Sequence, residues 1–310
     1  MNNPTSTQVR LRASTPAQLV ATLPYLFGFR PDHSVIVIGL QGRRIEAAAR
    51  VDASAVLDVK FEAEVLRQRL ASVVGGQVIV VAWLDDVDDA RRAAEVVVGV
   101  IGPVDMTVIV SDGRCQVDGG PWQDCADRIA EADEAGLTVA AGRAMIVASV
   151  AGPGNGDSGA AEAWASACEQ VDKLTFPERR AAAKGLIKQY LAVPGELSRQ
   201  SCLTLAALAQ QGWVRDVMTA PMTVKTARQH VELWRAVVRQ VPDGGAPAAL
   251  GLLGLAAWLA GEGALQVCCV ERGLAIDPKH SLLLLVETIN TMGVHPREWA
   301  RVRRLRYMGA

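Results

Sequence analysis

Ser34–Leu40 (SVIVIGL) and Gln77–Trp83 (QVIVVAW) decide the fold. Each is a nearly continuous apolar run of β-branched residues, too short for a core helix. Such a run fits a strand buried on both faces. A third run, Val104–Val110, has the same character. Between the second and third lies Val87–Val100, a helix that starts among aspartates, which suit its positive end. Before the second, Glu62–Val74 sets Leu66, Leu70 and Val73 on one face and stops at Gly75-Gly76. Buried strands alternating with amphipathic helices predict an α/β domain with a mainly parallel sheet and helices on both faces.

Outward from these runs, the turn signal Gln41-Gly42 predicts a hairpin from Ser34–Leu40 to a partner over Ile45–Val51. Upstream, Thr15 is a helix N-cap, Pro16 fits the first helical position and Gln18 completes a capping box. Pro24 should kink or end that helix, and Gly28 suits its C-terminus. A short strand is expected over Val9–Leu11. From Ser111 to Gly136 the pattern dissolves into polar, Gly-rich loop.

The segment 152–159 (GPGNGDSG) reads as a linker, dividing an α/β domain (1–151) from a helical domain (160–310). Past it only helices are predicted: 160–171, 177–191, 196–210, 223–241, 247–260, 264–276, 278–291 and 296–306. In the 223–241 helix, Val224, Ala227, Val231, Trp234, Val238 and Val241 form one apolar stripe, so Trp234 should be buried.

Composition narrows the classes. Half of the 310 residues are apolar and 21% are charged, enough for a large core. A net charge of -1 leaves no global footprint for nucleic acid or an anionic membrane. The N-terminal residues lack a signal pattern, and the apolar run 246–261, broken by Pro247, Gly251 and Gly254, reads as a buried helix rather than a span. A cytoplasmic protein is expected. Its six cysteines form no C-x-x-C pair and imply reduced thiols, and Cys115 and Cys125 have no nearby His to complete a zinc site.

Two stretches resemble an actinobacterial domain-of-unknown-function family, numbered 4192. They are Leu11–Leu40 (LRASTPAQLVATLPYLFGFRPDHSVIVIGL) and 246–299, above all AAWLAGEGALQVCCVERGLAIDPKHSLLLLVETINTMGVHPREW. WVRDVMTA, Trp213–Ala220, falls between them in order. The resemblance implies an actinobacterial or phage-encoded protein and carries no activity with it. Within the second stretch, Leu253-Gly254, Gly273 and Asp277-Pro278 are similar to a degenerate tetratricopeptide hairpin.

Candidate chemistry clusters at strand ends. Asp85, Asp86, Asp88 and Asp89 follow a buried strand, where parallel sheets bind ligands. They are oxygen ligands for Mg²⁺, or the capping residues of the next helix. Ser111-Asp112-Gly113-Arg114 follows the next strand. Arg114 is a clamp for phosphate or carboxylate, and the alternative is a simple turn. Asp85, Asp86, Asp112 and Arg114 are thus the ligand-site candidates. Arg30, Asp32 and His33 sit at a strand entry, normally the silent edge of a parallel sheet. Arg297, Arg301 and Arg304 form a basic helix face suited to nucleic acid or an acidic partner, and the alternative is a solvated terminal helix. No cofactor is implied. The expectation is a non-catalytic interaction or regulatory protein docking on another protein through its helices. The alternative is a small-molecule or nucleotide-processing enzyme using the strand-end acids and Arg114.

Overall fold

The computed structural model describes residues 11–58, 61–71, 73–74, 76–125, 132, 139–140, 142–153, 158–193, 195, 197–299 and 301. The chain divides into two compact units, 1–143 and 144–310.

In the first unit, α1 (Pro16–Phe27) precedes β1 (Ser34–Gln41) and β2 (Arg44–Asp52). Then come α2 (Ala53–Leu57), α3 (Ala63–Leu70), β3 (Gln77–Trp83), α4 (Val87–Ile101), β4 (Met106–Ser111), β5 (Arg114–Val117) and β6 (Trp122–Asp124). The strands form one sheet in the order β2-β1-β3-β4-β5-β6. β1 is fully buried from Ser34 to Gly39. Val35 and Val37 pack under α2, α3 and α4, while Ile36 and Ile38 pack under Val20 and Leu23 of α1. Helices cover both faces, which is why alternation is missing from the sequence.

The sheet is mixed and mostly antiparallel, which corrects the expected mainly parallel sheet. Only β3 and β4 run parallel; β1 is antiparallel to both β2 and β3. Continuous apolar runs report burial on two faces, not strand direction. The α2–α3 connection leads from β2 across β1 to β3, so the helix signal between strands was sound while the neighbour it implied was not. The polar stretch after Ser111 also holds structure. Asp112 and Gly113 both take positive φ, 47° and 72°, as the two central residues of a tight hairpin turn from β4 to β5. Residues 126–131 and 133–136 of that stretch, and most of the strand expected over Val9–Leu11, lie outside the described residues.

Thr15 accepts the Gln18 N–H at the start of α1, and the Gln18 side chain accepts from the Ser14 N–H, one residue earlier than a capping box requires. The helix passes through Pro24 and ends at Gly28, φ 76°. Gly39 is forced by close approach. A Cβ there would stand 2.2 Å from the Val73 carbonyl oxygen. That atom is backbone, so Gly39→Ala is expected to cost about 1–3 kcal/mol through displacement of the α3 end. A urea midpoint equal to that of the wild type would contradict this.

The second unit contains α5 (Arg143–Ser149), α6 (Ser158–Asp172), α7 (Phe176–Ala192), α8 (Arg199–Ala209), α9 (Gly212–Thr219) and α10 (Ala227–Val238). α11 (Ala246–Ala260), α12 (Gly263–Ile276) and α13 (Ser281–Thr291) follow, then a 3-10 turn at Pro296–Glu298. Beyond Asp124 the described residues contain no further strand. α5 and α9 were not anticipated, being only seven and eight residues long. The helix expected from Thr223 begins at Ala227, because Thr223 and Thr226 cap each other's backbone N–H groups first. α11 is buried along nearly its whole length. The stretch Asp243–Ala260, a 3-10 turn at Asp243–Gly245 followed by α11, has a mean hydropathy of 1.2 and is 83% buried. Small residues let neighbours close in: a Cβ at Gly273 would lie 2.4 Å from the Leu283 side chain. Of the Gly-rich segment 152–159, residues 154–157 lie outside the described residues. Gly152 is packed against the Val241 carbonyl and the Arg272 guanidinium, and Arg272 donates to the Val150 carbonyl and to Asp243.

Candidate functional site

Antiparallel pairing of β1 with β3 changes which residues share an edge. Ser34 lies opposite Trp83, so the entry to β1 meets the exit of β3. His33, with φ 53°, stands with Nε2 3.6 Å from the Asp85 carboxylate. Arg30 pairs with Asp32 at 2.8 Å, and its guanidinium lies 5.4 Å from the Trp83 ring centroid. The Ser111 hydroxyl donates to the Asp85 carbonyl at 2.7 Å, which ties the β4 exit to the same place. Arg30, Asp32 and His33 were therefore assigned to the wrong edge, because that edge was defined by parallel strands.

The four strand-end candidates divide. Asp86 accepts the Asp89 N–H at 2.8 Å and caps α4. Asp112 is a residue of the hairpin turn. Arg114, across from Ser111 in β5, pairs with Asp124 at 3.7 Å. Asp85 alone of the four meets His33. Asp88 and Asp89 pair with Arg91 and Arg92 within α4. Among the described residues no three His, Cys, Asp or Glu side chains come together as a metal-ion group. Cys115 is buried in the core under α1, with Cys125 packed beside it. At the other end of the chain, Arg301 pairs with Glu298 at 3.7 Å, and the Arg297 N–H donates to His295 Nδ1. Arg304 lies outside the described residues.

The helical unit holds two features that the sequence reading passed over. Phe176, at the first position of α7, stacks on Trp213 of α9 with ring centroids 4.0 Å apart and 24° between planes. Phe176 remains 58% exposed. Trp213 falls in the WVRDVMTA stretch, the one signal that marked this place. The second feature is His230 in α10, 0% exposed, with neither ring nitrogen hydrogen-bonded among the described residues. Burial pushes its pKa down to about 4, so the ring is neutral at pH 7. His280 is lowered too, by burial and then by Arg215, whose guanidinium stands 2.7 Å from its Nε2. Burial drives Cys202 up to about 11 and Cys269 upward as well, so both thiols stay protonated and poorly nucleophilic.

A family model described as a domain of unknown function (DUF4192) matches residues 16–297. No curated protein and no solved structure matches the chain.

Proposed function

The chain belongs to the DUF4192 family, and on that premise we propose that it is a non-catalytic interaction or regulatory protein that docks on another protein through its helical unit. The observation that supports this reading is the Phe176–Trp213 stack. A phenylalanine with more than half its surface in water adds little to the fold. Covered by a partner, a stacked aromatic pair is a strong anchor, since such residues dominate interface hot spots. The tetratricopeptide-like hairpin over α11 and α12 is part of the same proposal.

The test starts with a photo-crosslinking side chain at position 176 in cells of an actinobacterium, followed by purification of the captured protein. Phe176→Ser should weaken that protein's binding about tenfold or more while leaving the melt unchanged, as for an interface anchor. Equal affinity of the substituted and wild-type chains for it would overturn the reading.

A second reading is favoured by the His33–Asp85 pair. It makes the α/β unit a small-molecule or nucleotide-processing enzyme, with His33 as general base and Asp85 orienting it. Thermal melts with Mg²⁺, Mn²⁺, nucleotides and sugar phosphates discriminate the two. A ligand at a hundred times its dissociation constant adds about 2.7 kcal/mol. Asn is itself a good N-cap, so Asp85→Asn with Asp86→Asn removes charge and leaves α4 capped. A saturable shift abolished by that double substitution would replace the first reading with the second.

A further inference from the structure

The geometry points to an acidic, extended segment of a partner protein as what docks on α7, with an apolar side chain on Phe176 and carboxylates on Arg180, Lys184 and Lys188. This rests on the docking reading of the Phe176–Trp213 stack and adds the chemistry of the partner. Phe176, Arg180, Lys184 and Lys188 are spaced four apart, so they follow one ridge of α7. At a rise of about 1.5 Å per residue the ridge is about 18 Å long, with about 6 Å between successive side chains. All four residues are exposed. Among the described residues, the side chains of Arg180, Lys184 and Lys188 form no ion pair or hydrogen bond. Cations near the start of α7 are paired instead: Lys173 with Glu169 at 2.8 Å, and Arg179 with Asp172 at 3.7 Å.

Charge identifies the occupant. α7 reads FPERRAAAKGLIKQYLA, four cations and one acid, in a chain whose net charge is -1. The acid, Glu178, accepts from the Thr175 N–H and hydroxyl and is committed to the helix start. Like charges four residues apart destabilise a helix, so the three unpaired cations do not serve the fold of α7. A row of carboxylates laid along the ridge turns that repulsion into attraction. An extended chain advances about 6.6 Å for every second residue, close to the step of the ridge, so acids at alternate positions meet successive cations. The Phe176 ring, stacked on Trp213, ends the row and takes an apolar side chain. Asp172 and Glu178, both exposed, lie at that same end of α7. They disfavour a nucleic acid strand, whose phosphates would continue past any base stacked on the ring.

Fluorescence anisotropy with the full chain and labelled probes reads the binding. One probe is a short peptide with Phe at both ends and Glu alternating with Ser between them, so that it can lie in either direction. A second peptide has Gln in place of every Glu, and a third probe is single-stranded DNA of the same length. At low salt the acidic peptide should bind about tenfold more tightly than the Gln peptide, as for three exposed ion pairs, and that advantage should shrink as salt is added. Lys184→Glu should weaken the acidic peptide about fivefold, with the Gln peptide and the melting temperature unchanged. Phe176→Ser should weaken both peptides. An acidic peptide that binds no better than the Gln peptide, or that is indifferent to Lys184→Glu, overturns the inference. Docking through Phe176 would then still stand on a protein captured through that position, so the two failures are distinct. DNA bound more tightly than the acidic peptide overturns the inference in favour of nucleic acid.

Discussion

Trp234→Ala is expected to destabilise the helical unit by about 3–5 kcal/mol, the range for truncating a large aromatic in a core. Trp234 is 0% exposed in α10, which packs on α11, α8 and α7. Its neighbours include Val231, Val237 and Val238 of the same buried cluster. Those branched side chains have few rotamers with which to close the cavity. For a unit of this size the loss corresponds to a melting temperature lower by about 10 °C. Trp234→Phe separates packing from hydrogen bonding. The indole Nε1 is buried and has no acceptor among the described residues. Phenylalanine removes that unsatisfied donor and leaves a smaller cavity, so the two changes offset each other in part. The expected order is wild type, then Phe, then Ala, with the Phe protein much nearer wild type. An Ala protein that melts within a degree or two of wild type would show that α10 is not packed this way.

Acid should destabilise the same helical unit by about 3 kcal/mol through His230, at roughly 1.4 kcal/mol for each unit of pKa shift. The ring has a folded-state pKa of about 4 against an ordinary 6.5, and burial is the cause. Between those values the unfolded chain takes up a proton that the folded chain refuses, so stability falls as pH drops through this window. Above the unfolded value the contribution is complete and no longer varies. Other groups titrate in acid as well, among them Glu262, whose pKa is raised by burial and therefore acts in the opposite direction. The comparison is therefore with His230→Leu, which cannot charge. Chemical unfolding from pH 7 to pH 4 should give a steeper loss for the wild type, and the two curves should run parallel above pH 7. Parallel curves throughout would mean that His230 reaches solvent or a partner once protonated.

Much of the candidate site could be read locally, and the rest could not, for one reason. Asp86 as a helix cap and Asp112-Gly113 as a turn are short-range facts. Each is settled by residues within three positions, through a side-chain bond to a backbone N–H or a left-handed backbone. The encounter of His33 with Asp85 spans 52 residues of sequence and depends on whether β1 runs with or against β3. Side-chain pattern does not encode that direction, because a strand buried on both faces is apolar whichever way it runs. Phe176 and Trp213 were likewise separate residues until α7 and α9 met.

The amino-acid order by itself determined the three buried strands, the hairpin at Gln41-Gly42, the caps of α1 and α4, the mostly helical second half and the burial of Trp234. In each of these the deciding interactions are a period of two or 3.6 residues, a cap or a turn. Tertiary structure alone decided the order and direction of the strands, the edge shared by His33 and Asp85, the outer position of β2 and the lack, among the described residues, of a hydrogen-bond partner for His230. These are pairings between distant segments. They are selected by the total apolar area and the backbone hydrogen bonds that the whole assembly satisfies, and no window of sequence contains that sum.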